Sequence, residues 1–313
     1  MSTIHFDKIS MYDREMEPVS LGIPFAQGQL KQVSDFGILN GDVAVSAQTD
    51  VTGRWDDGSI KWLIAHFGAD LPGNRAQDLT FVWDGSVARP IADLAVSVSE
   101  QTDRVEVDTG MLNVTFAKGV NWFRDVEVNG KVWFGSDAFS GFDILDDSGN
   151  RFAADVSDIE VVESGPIRAL IELSGKHIGE SGVLFDFRIV VEAWAGKPFL
   201  RVDYQFVNRE DLDHVDLTAI ELGFSASGSN VRTALGEGNY RTGVKEGESE
   251  RILNAESIIY QTDIRRCVAF HEIFETRVQR PEWTVVLDDV FDQPGIVNKL
   301  KVMIRPVFVY PVA

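Results

Sequence analysis

The chain has 313 residues, 44% of them hydrophobic, and a formal charge of −20 at neutral pH. That charge excludes a phosphate-neutralising nucleic-acid binder, which needs a basic face, and argues against an anionic membrane surface as partner. The length is comfortable for two domains, and no window approaches the run of about 18 apolar residues that a membrane span requires.

The N-terminus, MSTIHFDKISMYDREMEPVS, has no basic segment followed by an apolar core. No secretory signal is visible, so a cytoplasmic location is expected. Cys267 is the only cysteine, so an internal disulfide is impossible, which suits a reducing compartment. Helical periodicity is almost absent; short alternating runs broken by Gly, Asn and Asp predict an all-β chain. Residues 43–47 are strand-like. The segment Arg54-Trp55-Asp56-Asp57-Gly58-Ser59-Ile60-Lys61-Trp62 is the strongest local signal. Asp57-Gly58 suits a two-residue type I′ turn, which folds 51–56 onto 59–66. In that register Trp55 lies opposite Ile60, with Trp62 diagonal to it, and Arg54 lies opposite Lys61. Like charges across a ladder repel, so Asp56 or an anionic ligand is expected nearby. Paired indoles beside a cationic pair suit a charged sugar, or equally a small barrel's core with a solvated rim.

Strands are predicted at 79–83, 105–108 and 112–116, and at 126–128 and 132–134 around an Asn129-Gly130 turn. Ser148-Gly149-Asn150 marks another turn, and Gly165-Pro166 opens a strand at 167–173. The run 183–194 is β-branched and aromatic, which favours a long strand over a helix. Residues 200–207 alternate perfectly, joined to it through Ala195-Gly196-Lys197-Pro198, and 217–224 forms a further strand. A boundary at about 84–104 divides a small barrel at 1–99 from an antiparallel sandwich at 104–313. The tail from Ile264 differs: it carries 7 basic and 6 acidic residues, so the acidic excess lies ahead of it.

Several motifs together resemble the exo-rhamnogalacturonan lyase family of polysaccharide lyases. They are Leu21-Gly22-Ile23-Pro24-Phe25 with Gly28, Gln48, the segment Arg54–Trp62, Asp108-Thr109-Gly110, Glu163-Ser164-Gly165-Pro166-Ile167-Arg168, Ala195-Gly196 and Arg201-Val202. They span roughly residues 17–262. The resemblance implies an N-terminal RIFT-type barrel, a central β-sandwich and a large α/α toroid that lines much of the catalytic cleft. The toroid has no counterpart here, and the tail departs from the family pattern. The chain is therefore expected not to catalyse alone, either as a fragment or as a short paralogue needing a partner that carries the helical domain.

Such lyases perform β-elimination next to galacturonate in pectin-derived rhamnogalacturonan. That chemistry needs a cation to stabilise the developing enolate and a base for the C5 proton. The candidate catalytic residues are Tyr240 and Arg241, in the glycine-rich stretch 236–243, and His214, beside Glu210, Asp211 and Asp213. Substrate binding is assigned to Arg54, Trp55, Lys61, Trp62 and Asn239. A divalent cation such as calcium is compatible with the acidic composition, although no His-x-x-x-His spacing is present. The bland alternatives are a surface loop with a snorkelling Arg at 236–243 and a solvated turn at 209–214. His66 is read as a satisfied core or edge residue, and Asp56-Asp57 as turn chemistry. The expected ligand is an acidic oligosaccharide or pectin fragment; a non-catalytic binding module and a structural scaffold are the other readings.

Overall fold

The computed structural model describes residues 1–8, 13–135, 139–207 and 217–224, and the strands 231–235, 250–253, 283–287 and 300–302. The chain is all-β. It divides into two compact units. The first comprises Met1–Asn113, Glu160–Ile171 and Glu192–Lys197; the second comprises Val114–Ile159, Glu172–Val191 and Pro198–Ala313. No helix among the described residues is long and apolar enough to cross a membrane.

The first unit begins with β1 (Ser2–Phe6), β2 (Arg14–Pro24), β3 (Gly37–Asn40), β4 (Val43–Val45), β5 (Ala47–Arg54), β6 (Ile60–Leu71) and β7 (Gln77–Val82). They form a four-stranded sheet, β1-β7-β3-β4, and a three-stranded sheet, β2-β6-β5. One apolar core serves both. Leu63, Ala65, Phe67, Ala69 and Leu71 point into it from alternate positions of β6, and Ile38, Leu79 and Phe81 from the other sheet. The period of two makes this pattern readable from Leu63 onward: the odd residues 63–71 of β6 are buried in the core, and the even residues 62–70 lie on the opposite face. Arg89 ties a loop to this unit, its Nε donating to the carbonyl of Phe36 at 2.9 Å and its Nη1 to Thr49 Oγ1 at 3.1 Å.

The turn at 55–58 differs from expectation. Gly58 N–H donates to the Trp55 carbonyl (2.9 Å) and Trp55 N–H to the Ser59 carbonyl (2.9 Å). Gly58 alone has a left-handed backbone, at φ +80, while Asp57 does not. This is a three-residue loop ending in a glycine bulge, not a type I′ turn. Asp57 favours it because its Oδ1 accepts from the Ser59 N–H at 3.0 Å and from the Ser59 hydroxyl. The register consequently slips: Ile60 lies opposite Arg54, and Trp62 opposite Gly53. Arg54 and Lys61 are therefore not paired across the ladder. Ile60 is fully buried in the core rather than on the face of Trp62. Gly58→Ala is expected to cost about 1 kcal/mol through the left-handed backbone alone, since an added Cβ there meets no neighbour within 4 Å. A shift of the urea midpoint at unchanged slope measures it.

Next come β8 (Ser97–Glu100), β9 (Arg104–Asp108), β10 (Leu112–Ala117), β11 (Phe123–Val128), β12 (Lys131–Phe134), β13 (Phe139–Asp146), β14 (Arg151–Ser164), β15 (Arg168–Gly179), β16 (Gly182–Trp194), β17 (Leu200–Val207) and β18 (Leu217–Phe224). The last six form a sheet in the order β17-β16-β15-β14-β13-β18. The expected Asn129-Gly130 turn joins β11 to β12 with both residues left-handed, the geometry of a type I′ turn. Four further strands, β19 (Val231–Leu235), β20 (Glu250–Leu253), β21 (Trp283–Leu287) and β22 (Leu300–Val302), pair in the order β20-β19-β21-β22.

An aromatic stack organises the second unit. Phe142 lies face to face with Tyr204, centroids 4.2 Å apart, and with Trp122 at 5.9 Å. His177 meets the Tyr204 ring edge-on at 5.9 Å and Phe187 at 5.1 Å. Tyr204 O–H donates to His177 Nε2 at 2.5 Å, and His177 Nδ1–H donates to the Phe185 carbonyl at 3.2 Å. A fully buried histidine is thus satisfied at both nitrogens.

Candidate functional site

The outer face of the three-stranded sheet carries a charged cluster within the first unit. Register places Ser20 of β2 and Gln48 of β5 on either side of His66 of β6. The Ser20 hydroxyl lies 2.7 Å from His66 Nδ1. Asp50, two residues along β5 from Gln48, brings its Oδ2 to 3.6 Å from His66 Nε2. Glu163, at the end of β14, brings its Oε1 to the same nitrogen, also at 3.6 Å. Arg168, at the start of β15, pairs with Glu163 through Nη1 and with Glu192 of β16 through Nε at 2.5 Å. Trp194 covers the cluster: its ring is 6.1 Å from His66, edge-on, and 6.0 Å from the Arg168 guanidinium.

Gln48 holds these pieces together. Its Oε1 accepts the backbone N–H groups of Ile167 (3.1 Å) and Arg168 (2.9 Å), and its Nε2 donates to Glu163 Oε1. The 165–168 turn closes around that amide, with Gly165 N–H donating to the Arg168 carbonyl at 3.1 Å. A Cβ at position 165 would collide with the Gln48 amide, so only glycine allows this approach.

The electrostatics follow from burial. His66 is 5% exposed. Burial holds its imidazole below the ordinary range, and Arg168 adds to this, against Asp50 and Glu192. Ser20 holds the ring at Nδ1, so the Nε2 edge of His66 faces two carboxylates. Burial lifts the Glu163 carboxyl above its usual range; Arg168 opposes the shift, while Asp50 and Glu192 reinforce it. The side chains of Arg168, Glu163 and Glu192 are mostly buried, whereas that of Asp50 is about half exposed. The cluster therefore opens to solvent on the Asp50 side.

The residues assigned to binding from sequence serve mainly the hairpin. Arg54 Nη1 donates to the Gly58 carbonyl at 2.8 Å. Trp55 Nε1 donates to the Phe25 carbonyl at 3.0 Å, and Lys61 Nζ sits 4.4 Å above the Trp55 ring. Trp62 is the exception. It is 45% exposed, its indole packs against Gly53, and it shares the outer face of β6 with His66, four residues or about 13 Å away. His214, Asn239, Tyr240 and Arg241 lie outside the described residues.

Sequence reasoning missed Asp50, His66, Glu163, Arg168 and Glu192 as one group. A signal was present: Gln48 and the Glu163–Arg168 stretch both belong to the motif set of the resemblance, and they meet here.

Two family models match the chain. The PcRGLX-like N-terminal RIFT barrel domain covers residues 8–78 and the PcRGLX-like protein central beta sandwich domain covers residues 96–232. The chain belongs to this family. Barrel and sandwich thus follow one another as the resemblance to exo-rhamnogalacturonan lyases implied. The chain is also 26% identical over 170 residues to "Uncharacterized protein YetA" of Bacillus subtilis (strain 168). That alignment takes in 51% of this chain and 19% of the relative, so the PcRGLX-like chain spans about a fifth of the relative's length.

Proposed function

We propose that this chain is the barrel-and-sandwich portion of a carbohydrate-active protein of the exo-rhamnogalacturonan lyase type, which handles galacturonate-containing oligosaccharides. The observation that supports the reading is the succession of both PcRGLX-like domains along one chain. On this reading β-elimination needs the α/α toroid of the family, supplied by another region or by a partner chain. The described residues of this chain then contribute glycan contacts rather than turnover. Trp62 is the residue best suited to that role, because an exposed indole standing over Gly53 leaves its face free for a sugar ring.

The test is calorimetric titration of the chain with rhamnogalacturonan oligosaccharides, with neutral oligosaccharides as the comparison. Saturable binding of the galacturonate-containing ligand alone is expected. Trp62→Ala is expected to weaken it roughly tenfold, equivalent to about 1.4 kcal/mol, with no change in the unfolding midpoint. Trp55→Ala is not a clean probe, since its indole N–H is bonded to the Phe25 carbonyl. Equal heats for acidic and neutral ligands, or release of unsaturated uronate by the isolated chain at a robust rate, would overturn the division of labour proposed here.

A further inference from the structure

We propose that Asp50, His66 and Glu163 form a binding site for a divalent transition-metal ion of the zinc class, independent of the glycan reading. One ligand atom from each residue, His66 Nε2, a carboxylate oxygen of Asp50 and one of Glu163, lies within 4.8 Å of the other two. The nitrogen is 3.6 Å from Asp50 Oδ2 and 3.6 Å from Glu163 Oε1. Two donors each about 2.1 Å from a tetrahedral ion stand ~3.4 Å apart, close to the two separations from His66 Nε2, and the two carboxylate oxygens, within 4.8 Å of each other, complete the triangle.

The second observation is the state of His66. Its side chain is more than nine-tenths buried, and Nε2 has no hydrogen-bond partner among the described residues. That nitrogen is aimed at two carboxylate oxygens. It lies 3.6 Å from each of them, so one cation held between the three atoms would satisfy them together. The surrounding contacts are those expected around a metal. The Ser20 hydroxyl is hydrogen-bonded to His66 Nδ1, Gln48 Nε2 donates to Glu163 Oε1, and Arg168 Nη1 pairs with Glu163 Oε2, so two of the three ligands are oriented from behind. With Glu192 beside Arg168, a bound dication sets three positive charges against three carboxylates. Asp50, exposed on one side, leaves coordination positions open to water or to a ligand oxygen.

The donor set selects the ion. Calcium takes six to eight oxygen donors; one imidazole nitrogen with two carboxylates suits zinc or its neighbours in the transition series. The experiment is titration of the full chain, dialysed against chelator, with Zn²⁺ alone and then with Ca²⁺ alone. Binding of one Zn²⁺ at micromolar affinity or tighter is expected, with a higher melting temperature and weaker Ca²⁺ binding. Asp50→Asn, at an exposed position, is expected to weaken Zn²⁺ at least tenfold. Ser20→Ala is expected to weaken it roughly 10- to 100-fold, the effect of removing an orienting contact behind a metal ligand. His5→Ala removes the exposed histidine that pairs with Asp78 and Asp7 and is expected to leave binding unchanged. No saturable Zn²⁺ binding, or binding untouched by Asp50→Asn, overturns the proposal; so does binding abolished by His5→Ala. Tighter Ca²⁺ than Zn²⁺ overturns the choice of ion.

Discussion

Arg168→Met is expected to destabilise the first unit by about 3 kcal/mol at neutral pH, the scale of removing one partner from a buried ion pair. The guanidinium is the cation bonded to both Glu163 and Glu192. Methionine keeps much of the volume under Trp194 but leaves two mostly buried carboxylates facing each other and Asp50. The pH dependence identifies the cause. The folded-state Glu163 carboxyl already lies above its ordinary value of 4.5, held up by burial and restrained by Arg168. A carboxyl raised on folding takes up its proton more readily in the folded state, so it costs stability as pH rises from the ordinary value through the raised one. Without Arg168 that rise is larger and extends to higher pH. Urea unfolding of wild type and variant should therefore show the widest gap at neutral pH, narrowing below about pH 4.5. A gap independent of pH would mean that lost packing, not unpaired charge, causes the effect. Arg168→Lys should recover less than half of the loss, because an ammonium cannot hold both carboxylates with a rigid fork.

The second large effect lies at His177 and Tyr204. Burial pushes the His177 imidazole down to about 4, against the opposing pull of the carbonyls of Phe185 and Leu184. A histidine depressed on folding contributes stability above its unfolded value of 6.5 and loses it as pH falls toward 4. The interval of about 2.5 pH units corresponds to about 3 kcal/mol. Wild-type stability should fall by about that amount from this residue between pH 6.5 and 4, and His177→Gln should remove the slope while lowering stability at neutral pH. Tyr204→Phe keeps the stack on Phe142 but deprives His177 Nε2 of its donor, at a cost of about 1–3 kcal/mol. Its acid limb should change slope, since the Tyr204 hydroxyl is the partner of His177 Nε2 and can donate to the neutral ring or accept from the protonated one. An unchanged limb in both variants would show that the acid sensitivity arises elsewhere, with His66 as the next group of the same sign.

Much of the strand pattern was legible from alternation alone. The strands at 200–207 and 217–224 match their expected limits, and 105–108 is one residue short; in the last, Val105 and Val107 are buried while their neighbours are not, the period of two that alternation predicts. The hairpin at Asp57-Gly58 was legible as a hairpin but not in its register. Asp-Gly serves a two-residue loop and a three-residue loop with a glycine bulge alike, and one residue decides which side chain faces outward. Trp62 ended up exposed and Trp55 tied to Phe25 for that reason. The charged cluster was not legible, because no local pattern announces it. His66 and Glu163 are brought together by strand register and by the Gln48 amide, and each looks unremarkable in its own stretch of chain. The candidates at 214 and 239–241 came from local composition, and they fall outside the described residues.

The Gln48 amide reaches backbone groups 119 and 120 positions further along the chain. During synthesis at ~5–20 residues per second, a nascent barrel waits on the order of ten seconds between the emergence of His66 and that of Trp194. Throughout that delay the face destined for the cluster stands open, with an imidazole and an amide lacking their later neighbours. Closing so large a loop places this corner among the last parts to form, so translation speed and chaperone occupancy over residues 67–197 should govern the yield of native molecules more than the early strands do.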